Sequence, residues 1–593
     1  MIQGHTFHIP VMGLGYTIDS PVKVAPYGIS SVVALANDSL IEKMREFYCT
    51  QFNLPYRAIP RRDKDYRSDR IREYLNTLDI IVRRKFEEVI HSIHEKGAEL
   101  EKYIDMLPEM SEIRKNFRRI TQGQYDMHKV WQWARENLVP GSIDVNIMTK
   151  LDKVNFFRGE QLPQEYNDAH AAIRGFATSN LNSSVVLSAG MNPYLFSYME
   201  QFEDFYPGVD GQMKKKIILK VSDYRSALIQ GKMLAKKGLW VSEFRVESGL
   251  NCGGHAFATD GYLMGPVLEE FKTLRDTLRD TLNEIYVQAL TEKGRIAPDK
   301  PFPMLVTAQG GVGTADEHRL LLEHYQVDSV GWGTPFLLVP EATTTDEDTL
   351  QLLVNAREED LYLSNVSPIG VPFNNVRNNT KDLEKEARIR EGKPGSPCTL
   401  QHLKLFRDKD GSPICTASKE YQRQALAEAE ESIEDTVLLA KTRQNILDKV
   451  CLCVGLATST KKAHGISNGA DGDAVAVCPG PNLAWFDKIV TLREMAGHIY
   501  GRNQVISRTD RPHMFVNELK MYVDYLKTKV DEAGRPLNNR ARAQLTTFRE
   551  NLLKGIDYYN GLFEQIRGRF VSNGDKNENL LEEYRKELSG ITF

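Results

Sequence analysis

Along the first 340 residues, apolar positions gather in short β-rich runs separated by longer helical or polar stretches. The runs are HIPVMG (8–13), ISSVVAL (29–35), SIDVNIM (142–148), SSVVLSA (183–189), KKIILKV (215–221), LWVSEFRVE (239–247), PMLVTAQ (303–309) and VDSVGWG (327–333). Several are continuous rather than alternating, the pattern of parallel strands covered on both faces. Helical patterns fall between many of them, such as DYRSALIQGKMLAKKG (223–238) and TADEHRLLLEHYQ (314–326). Strands alternating with helices build βαβ units and a parallel sheet. Eight such strands predict an α/β chain folded as a TIM (β/α)8 barrel. An open doubly wound sheet is the competing arrangement, which periodicity alone does not exclude.

Two stretches exceed a minimal barrel. Residues from about 60 to 138 are highly charged and helical in pattern, and read as an insertion between the second and third strands. It could serve as a lid or a docking surface, and its charge runs are expected to be solvated helix faces. The second addition carries helical patterns at 418–450 and 538–566 among Gly/Pro-rich segments. The expected organisation is therefore a barrel over 1–380, with the insertion at about 60–138, and a mostly α-helical C-terminal region over 381–593 that carries clustered cysteines.

Composition narrows the setting. The chain has 593 residues, 41% apolar and 26% charged, with a formal charge of −4. That balance suits an ordinary globular protein and gives no footprint for nucleic acid. No uninterrupted apolar run reaches about 18 residues, so no membrane span is expected. The first twenty residues lack the basic-then-apolar form of a secretory signal. Seven cysteines in so long a chain do not make a disulfide scaffold. A cytoplasmic setting is expected, with a small-molecule substrate. A homo-oligomer or a protein partner could engage the helical insertion.

Chemistry in a parallel barrel sits at the C-terminal ends of the strands. The seventh run ends VTAQGGVGT and the eighth VGWGTPF. Glycine lets the backbone approach an anion, and turn amides aim donors at it. Gly310, Gly311, Gly333 and Thr334 are therefore candidate phosphate ligands at the strands that usually carry such a site. The sixth run leads into SGLNCGGHAF (248–257). Gly253 and Gly254 would let a flat ring pack on the backbone. His255 would stand at the rim as a general base or acid.

These strand ends resemble the FMN-dependent nitronate monooxygenases, once called 2-nitropropane dioxygenases, and the related flavin-dependent enoyl-acyl-carrier-protein reductases. The resemblance rests on five segments in order: IDVNIM (143–148), LNCGGH (250–255), TAQGGV (307–312), GWGTPFLLVPEAT (331–343) and IGVPFNNVRNN (369–379). It covers about residues 8–380 and implies an FMN-binding barrel. Asn146 and Lys220 would then lie near the flavin ring, with Gly253 and Gly254 packed close to it. Gly310, Gly311, Gly333 and Thr334 would hold the phosphate, and His255 would move a proton at the substrate carbon. The activity implied is oxidation of a nitronate or similar carbanion with oxygen. Reduction of an enoyl thioester or other activated double bond by NAD(P)H is the alternative, and a flavin-barrel subunit of a larger biosynthetic complex is another. The chain departs from the family pattern at Cys252, at Leu250-Asn251 and at Pro335.

Five of the seven cysteines (Cys398, Cys415, Cys451, Cys453 and Cys478) fall in the last third. No C-x-x-C pair occurs among them. Packing as small hydrophobes is the preferred reading, with a metal ion or iron–sulfur cluster left open. Cys252 is expected to be an inert thiol.

Overall fold

A computed structural model describes residues 4–95, 97–123, 125–188, 190–533, 538–570 and 574–593. Eight parallel strands close into a barrel: β1 (Phe7–Ile9), β2 (Ser30–Ala34), β3 (Ile143–Met148), β4 (Ser183–Ser188), β5 (Lys215–Val221), β6 (Val241–Glu247), β7 (Leu305–Gln309) and β8 (Ser329–Gly331). Strands adjacent in sequence pair in turn, and β1 closes the ring by pairing with both β2 and β8. All eight expected strands are present. The first is shorter than its apolar run because Pro10 has no N–H for the ladder. Ala189, the last residue of the fourth run, lies outside the described residues.

The continuous apolar runs follow from burial on both faces. Inside, Val32, Val186 and Ile218 meet in a small cluster with Val11 against it. Outside, helices such as Asp38–Gln51, Tyr224–Ala235 and Ala315–Glu323 cover the strands. Their starts are written in the strand-end loops. Asn37, Asp223 and Thr314 each accept a hydrogen bond from the third residue of the helix that follows.

Between β2 and β3, beyond the covering helix Asp38–Gln51, lie the helices Tyr66–His91, Ala98–Met106, Glu112–Ile120 and Met127–Asn137. The last part of the first helix joins the other three around their own apolar cluster, which includes Ile90, Leu100, Tyr103, Phe117 and Val130. The charge runs here are not all solvated. Arg67 and Arg70 turn inward and reach the two oxygens of buried Asp38 at 2.8 and 2.9 Å. The cause is packing: Ile71, Tyr74, Leu75 and Leu78 bury the first half of the helix, so neighbouring arginines go with it and need a charge partner.

Beyond β8 comes an antiparallel hairpin, β9 (Leu361–Ser364) with β10 (Phe373–Val376), and then mostly helices. The helical pattern at 418–450 is two helices, Lys419–Ser432 and Thr436–Leu447. Asp435 caps the second through its side chain and so sets the break. One apolar core runs through barrel and C-terminal helices alike, from Phe7 and Val330 to Leu519, Tyr559 and Leu588.

Candidate functional site

At the C-terminal ends of the strands a cavity of about 420 Å³ opens, within the range of pockets that enclose a small molecule or cofactor. Asn146, Lys220, Gly253, Gly254, His255, Gly310, Gly311, Gly333 and Thr334 all line it. The structure thus brings the nine residues named from the sequence to one place. Apolar side chains fill in between them, among them Val11, Met12, Leu14 and Leu337.

His255 is held from two sides. Its Nε2 lies 2.7 Å from the Ser367 hydroxyl, and its ring meets that of Phe373 edge-on at 4.9 Å. The segment is stapled to β10 as well: the Asn374 amide donates to the Gly254 carbonyl and the Ala256 amide to that of Pro372. The Asn374 side chain donates to the Cys252 carbonyl at 2.7 Å. The motif 369–379 therefore clamps the turn that carries His255. Burial, with the Lys220 cation adding to it, holds the His255 pKa down to about 4. The ring is neutral near pH 7 and able to accept a proton. Its Nδ1 has no partner among the described residues, so it is the nitrogen free to meet a bound molecule.

Lys220, at the end of β5, is paired with Glu247 of β6 at 2.7 Å. The other Glu247 oxygen accepts from Gln309 Nε2 at 2.6 Å. Asn146 Oδ1 is buried without a hydrogen-bond partner and lines the cavity, whereas Gln309 Oε1 lies against the buried His8 ring. A buried acceptor left open in this way is uncommon and points to a missing donor. Cys252 also lines the cavity, where burial, with the Glu247 carboxylate adding to it, pushes its thiol far up. It stays protonated and is a poor nucleophile.

At Gly310 and Gly311 glycine is sterically required. Gly311 has φ +75°, and a Cβ there would lie 2.0 Å from Asn251 Nδ2. Among the described residues no partner accepts from the amides of Gly310, Gly311, Gly333 or Thr334. They form a set of open donors suited to an anion.

The C-terminal region builds the opposite wall, which the sequence motifs did not reveal. The Cys478 carbonyl accepts from the Gly254 amide at 3.2 Å. The Gly480 amide donates to the Thr334 hydroxyl at 2.9 Å. Asn482 Nδ2 donates to the Val312 carbonyl at 2.8 Å. Leu403, Leu452, Cys453 and Leu456 complete that side. The segment AVCPGPN (476–482) is thus laid along the glycine turns. Glu247 and Gln309 were legible in principle, as polar residues ending otherwise apolar strands. Ser367 and residues 478–482 have no such local signal.

The chain is therefore a (β/α)8 barrel with a strand-end cavity that carries open anion donors and a positioned histidine. No family model and no curated protein matches it. Among solved structures it is similar to FabK from Thermotoga maritima, 13% identical over 68% of this chain and 83% of that one, TM-score 0.29. It is similar too to the enoyl reductase domain of MlnA from the macrolactin biosynthesis cluster of Bacillus amyloliquefaciens, 11% identical over 74% and 90%, TM-score 0.32. A third is the nitroalkane oxidase from Streptomyces ansochromogenes, 11% identical over 64% and 84%, TM-score 0.29. The barrel itself is established by its own strand order.

Proposed function

We propose that the protein is an FMN-dependent oxidoreductase that oxidises a nitronate or similar carbanionic small molecule with oxygen. The observation that carries the reading is the meeting, in one cavity, of open amide donors at Gly310, Gly311, Gly333 and Thr334 with the unpartnered acceptor Asn146 Oδ1. A flavin ring offers donors and acceptors on one edge, and its phosphate takes amide donors. The residues present fit both ends. When bound, FMN supplies the electron acceptor for the substrate carbon and passes the electrons to oxygen.

The chain's own residues bind, orient and move a proton. Gly254, open at its Cβ position, gives a flat ring a backbone surface free of side chains, while Gly253 makes room for the Cys478–Gly480 backbone that closes over it. Neutral His255, fixed by Ser367 and Phe373, offers Nδ1 to the proton that a neutral carbon acid gives up as its carbanion, the nitronate, forms. Burial keeps that imidazole neutral, with Lys220 adding to it, and Lys220, shared with Glu247, places a cation beside an anionic substrate. The apolar side chains lining the cavity exclude water and so strengthen these charge interactions. The test is anaerobic mixing of the flavin-loaded protein with a nitronate and, separately, with NADPH. Bleaching by the nitronate is expected. Bleaching by NADPH alone, with none by the nitronate, would overturn this reading in favour of reduction of an activated double bond.

A further inference from the structure

Four of the seven cysteines, drawn from three separate segments, converge on one pocket of the C-terminal region. Cys415, Cys451 and Cys453 are buried there with Leu403, Ala417 and Val454, and Cys398, Leu400, Leu151 and Ile369 pack against them. All four are free thiols. Cys398 lies beside Cys415 and Cys451 beside Cys453, all four within this one packed cluster. Cys478 is not part of this group; it lies against Gly254 instead.

Apolar packing explains thiols in a core. It does not explain what surrounds these. Three of the four sulfurs receive a backbone N–H: Gln401 to Cys398, Ala417 to Cys415 and Val454 to Cys451. Amide donors around cysteine sulfurs are one of the features by which proteins tune iron–sulfur clusters. Lysines are gathered as well: Lys404 and Lys153 act on Cys398, and Lys381 on Cys451. Lys381 is itself buried. Lys381 also pairs with Glu384 and Lys153 with Asp168, so their charge is shared between those carboxylates and the sulfur cluster.

We infer that Cys398, Cys415, Cys451 and Cys453 ligate an iron–sulfur cluster of the four-cysteine type. Among the described residues no three Cys, His, Asp or Glu side chains are set to hold one metal ion. That spacing disfavours a single zinc, whose thiolates crowd around one ion at about 2.3 Å. A four-iron cluster instead spreads its four thiolates over separate irons. Cys453 and its neighbours Leu452 and Leu403 also line the strand-end cavity, so the cluster shares a wall with it. The assignment does not depend on the flavin reading.

The experiment is metal and sulfide analysis of the full chain, purified without oxygen and reconstituted with ferrous iron and sulfide. About four iron and four acid-labile sulfide per chain are expected, with an electron paramagnetic resonance signal after dithionite reduction. Cys415→Ser and Cys453→Ser should each lose most of the iron, and Cys49→Ser should keep it. A folded wild-type chain, verified by circular dichroism and gel filtration, that takes up no iron would overturn the inference. So would one that holds a single zinc instead. If the serine variants fail to fold, the wild-type iron and sulfide content alone decides.

Discussion

The two walls of the cavity are built in opposite ways. The barrel wall comes from strand ends, where each glycine or polar residue follows directly on an apolar run: Lys220 and Glu247 end β5 and β6, and Gly310 and Gly311 follow β7. The facing wall comes from residues 402–403, 452–456 and 478–482, which belong to no repeating unit and are positioned only by tertiary contacts. A wall made of regular elements can hold a fixed set of donors on rigid supports. One made of loops and the start of the helix Leu452–Ala463, pressed onto that set, can cover it and add chemistry of its own. The barrel side thus resembles a generic cofactor mouth, and the C-terminal side is where this chain is individual.

The sharpest way to break that division is to spoil the barrel side. Gly333→Asp adds a Cβ that meets only Pro10 Cγ at 3.2 Å and Met12 and Pro10 atoms at 3.9 Å, so the fold should persist. Its carboxylate would face the phosphate, and FMN retention should fall at least ~100-fold, read from the flavin absorbance of the purified protein. A fully loaded variant would place the phosphate elsewhere. His255→Ala should keep the flavin and lower turnover of the neutral carbon acid ~100-fold, the scale of a lost general base. Turnover like that of the wild type would remove His255 from the chemistry.

Two smaller effects probe the seam between the walls. Thr334→Val removes the hydroxyl that accepts the Gly480 amide. FMN affinity should weaken by about 5-fold in a fluorescence titration, the worth of roughly one neutral hydrogen bond. No change would mean that the covering loop is energetically separate from the barrel side. Glu518 reaches from the C-terminal helix Met514–Ala533 to Ser248, with 2.5 Å between Glu518 Oε1 and the hydroxyl. Burial raises its pKa from 4.5 to about 7. The folded state therefore binds this proton more tightly than the unfolded state. The stabilisation is complete below about pH 4.5 and is lost as pH rises through about 7. The loss is on the order of 3 kcal/mol, about 2 °C in Tm for a chain of this size. Glu518→Gln should flatten that part of the stability–pH curve, and an unchanged slope would show that Glu518 is not its source.

How much of this was legible in the sequence follows from the same contrast. The eight strands were readable because burial on both faces writes continuous apolar runs, and their ends were readable because turns need glycine and caps need Thr314 or Asp223. His255 stood out by following two glycines. Ser367 did not, since a serine far along the chain shows its role only when β9 and β10 fold back over the turn. The inward arginines Arg67 and Arg70 were hidden for a related reason: a charge run looks solvated until its buried partner, Asp38, is placed. The cysteines were the hardest case. Cys398, Cys415 and the Cys451/Cys453 pair have no ligand spacing in sequence, and their meeting is purely tertiary.

The central claim is that the mouth of the barrel holds FMN. Its most direct measurement is the flavin released on denaturing the purified chain, together with titration of the stripped protein with FMN. One FMN per chain, rebinding at micromolar concentration or tighter, is the expected result. A folded protein that releases no flavin and binds none on titration would contradict the account.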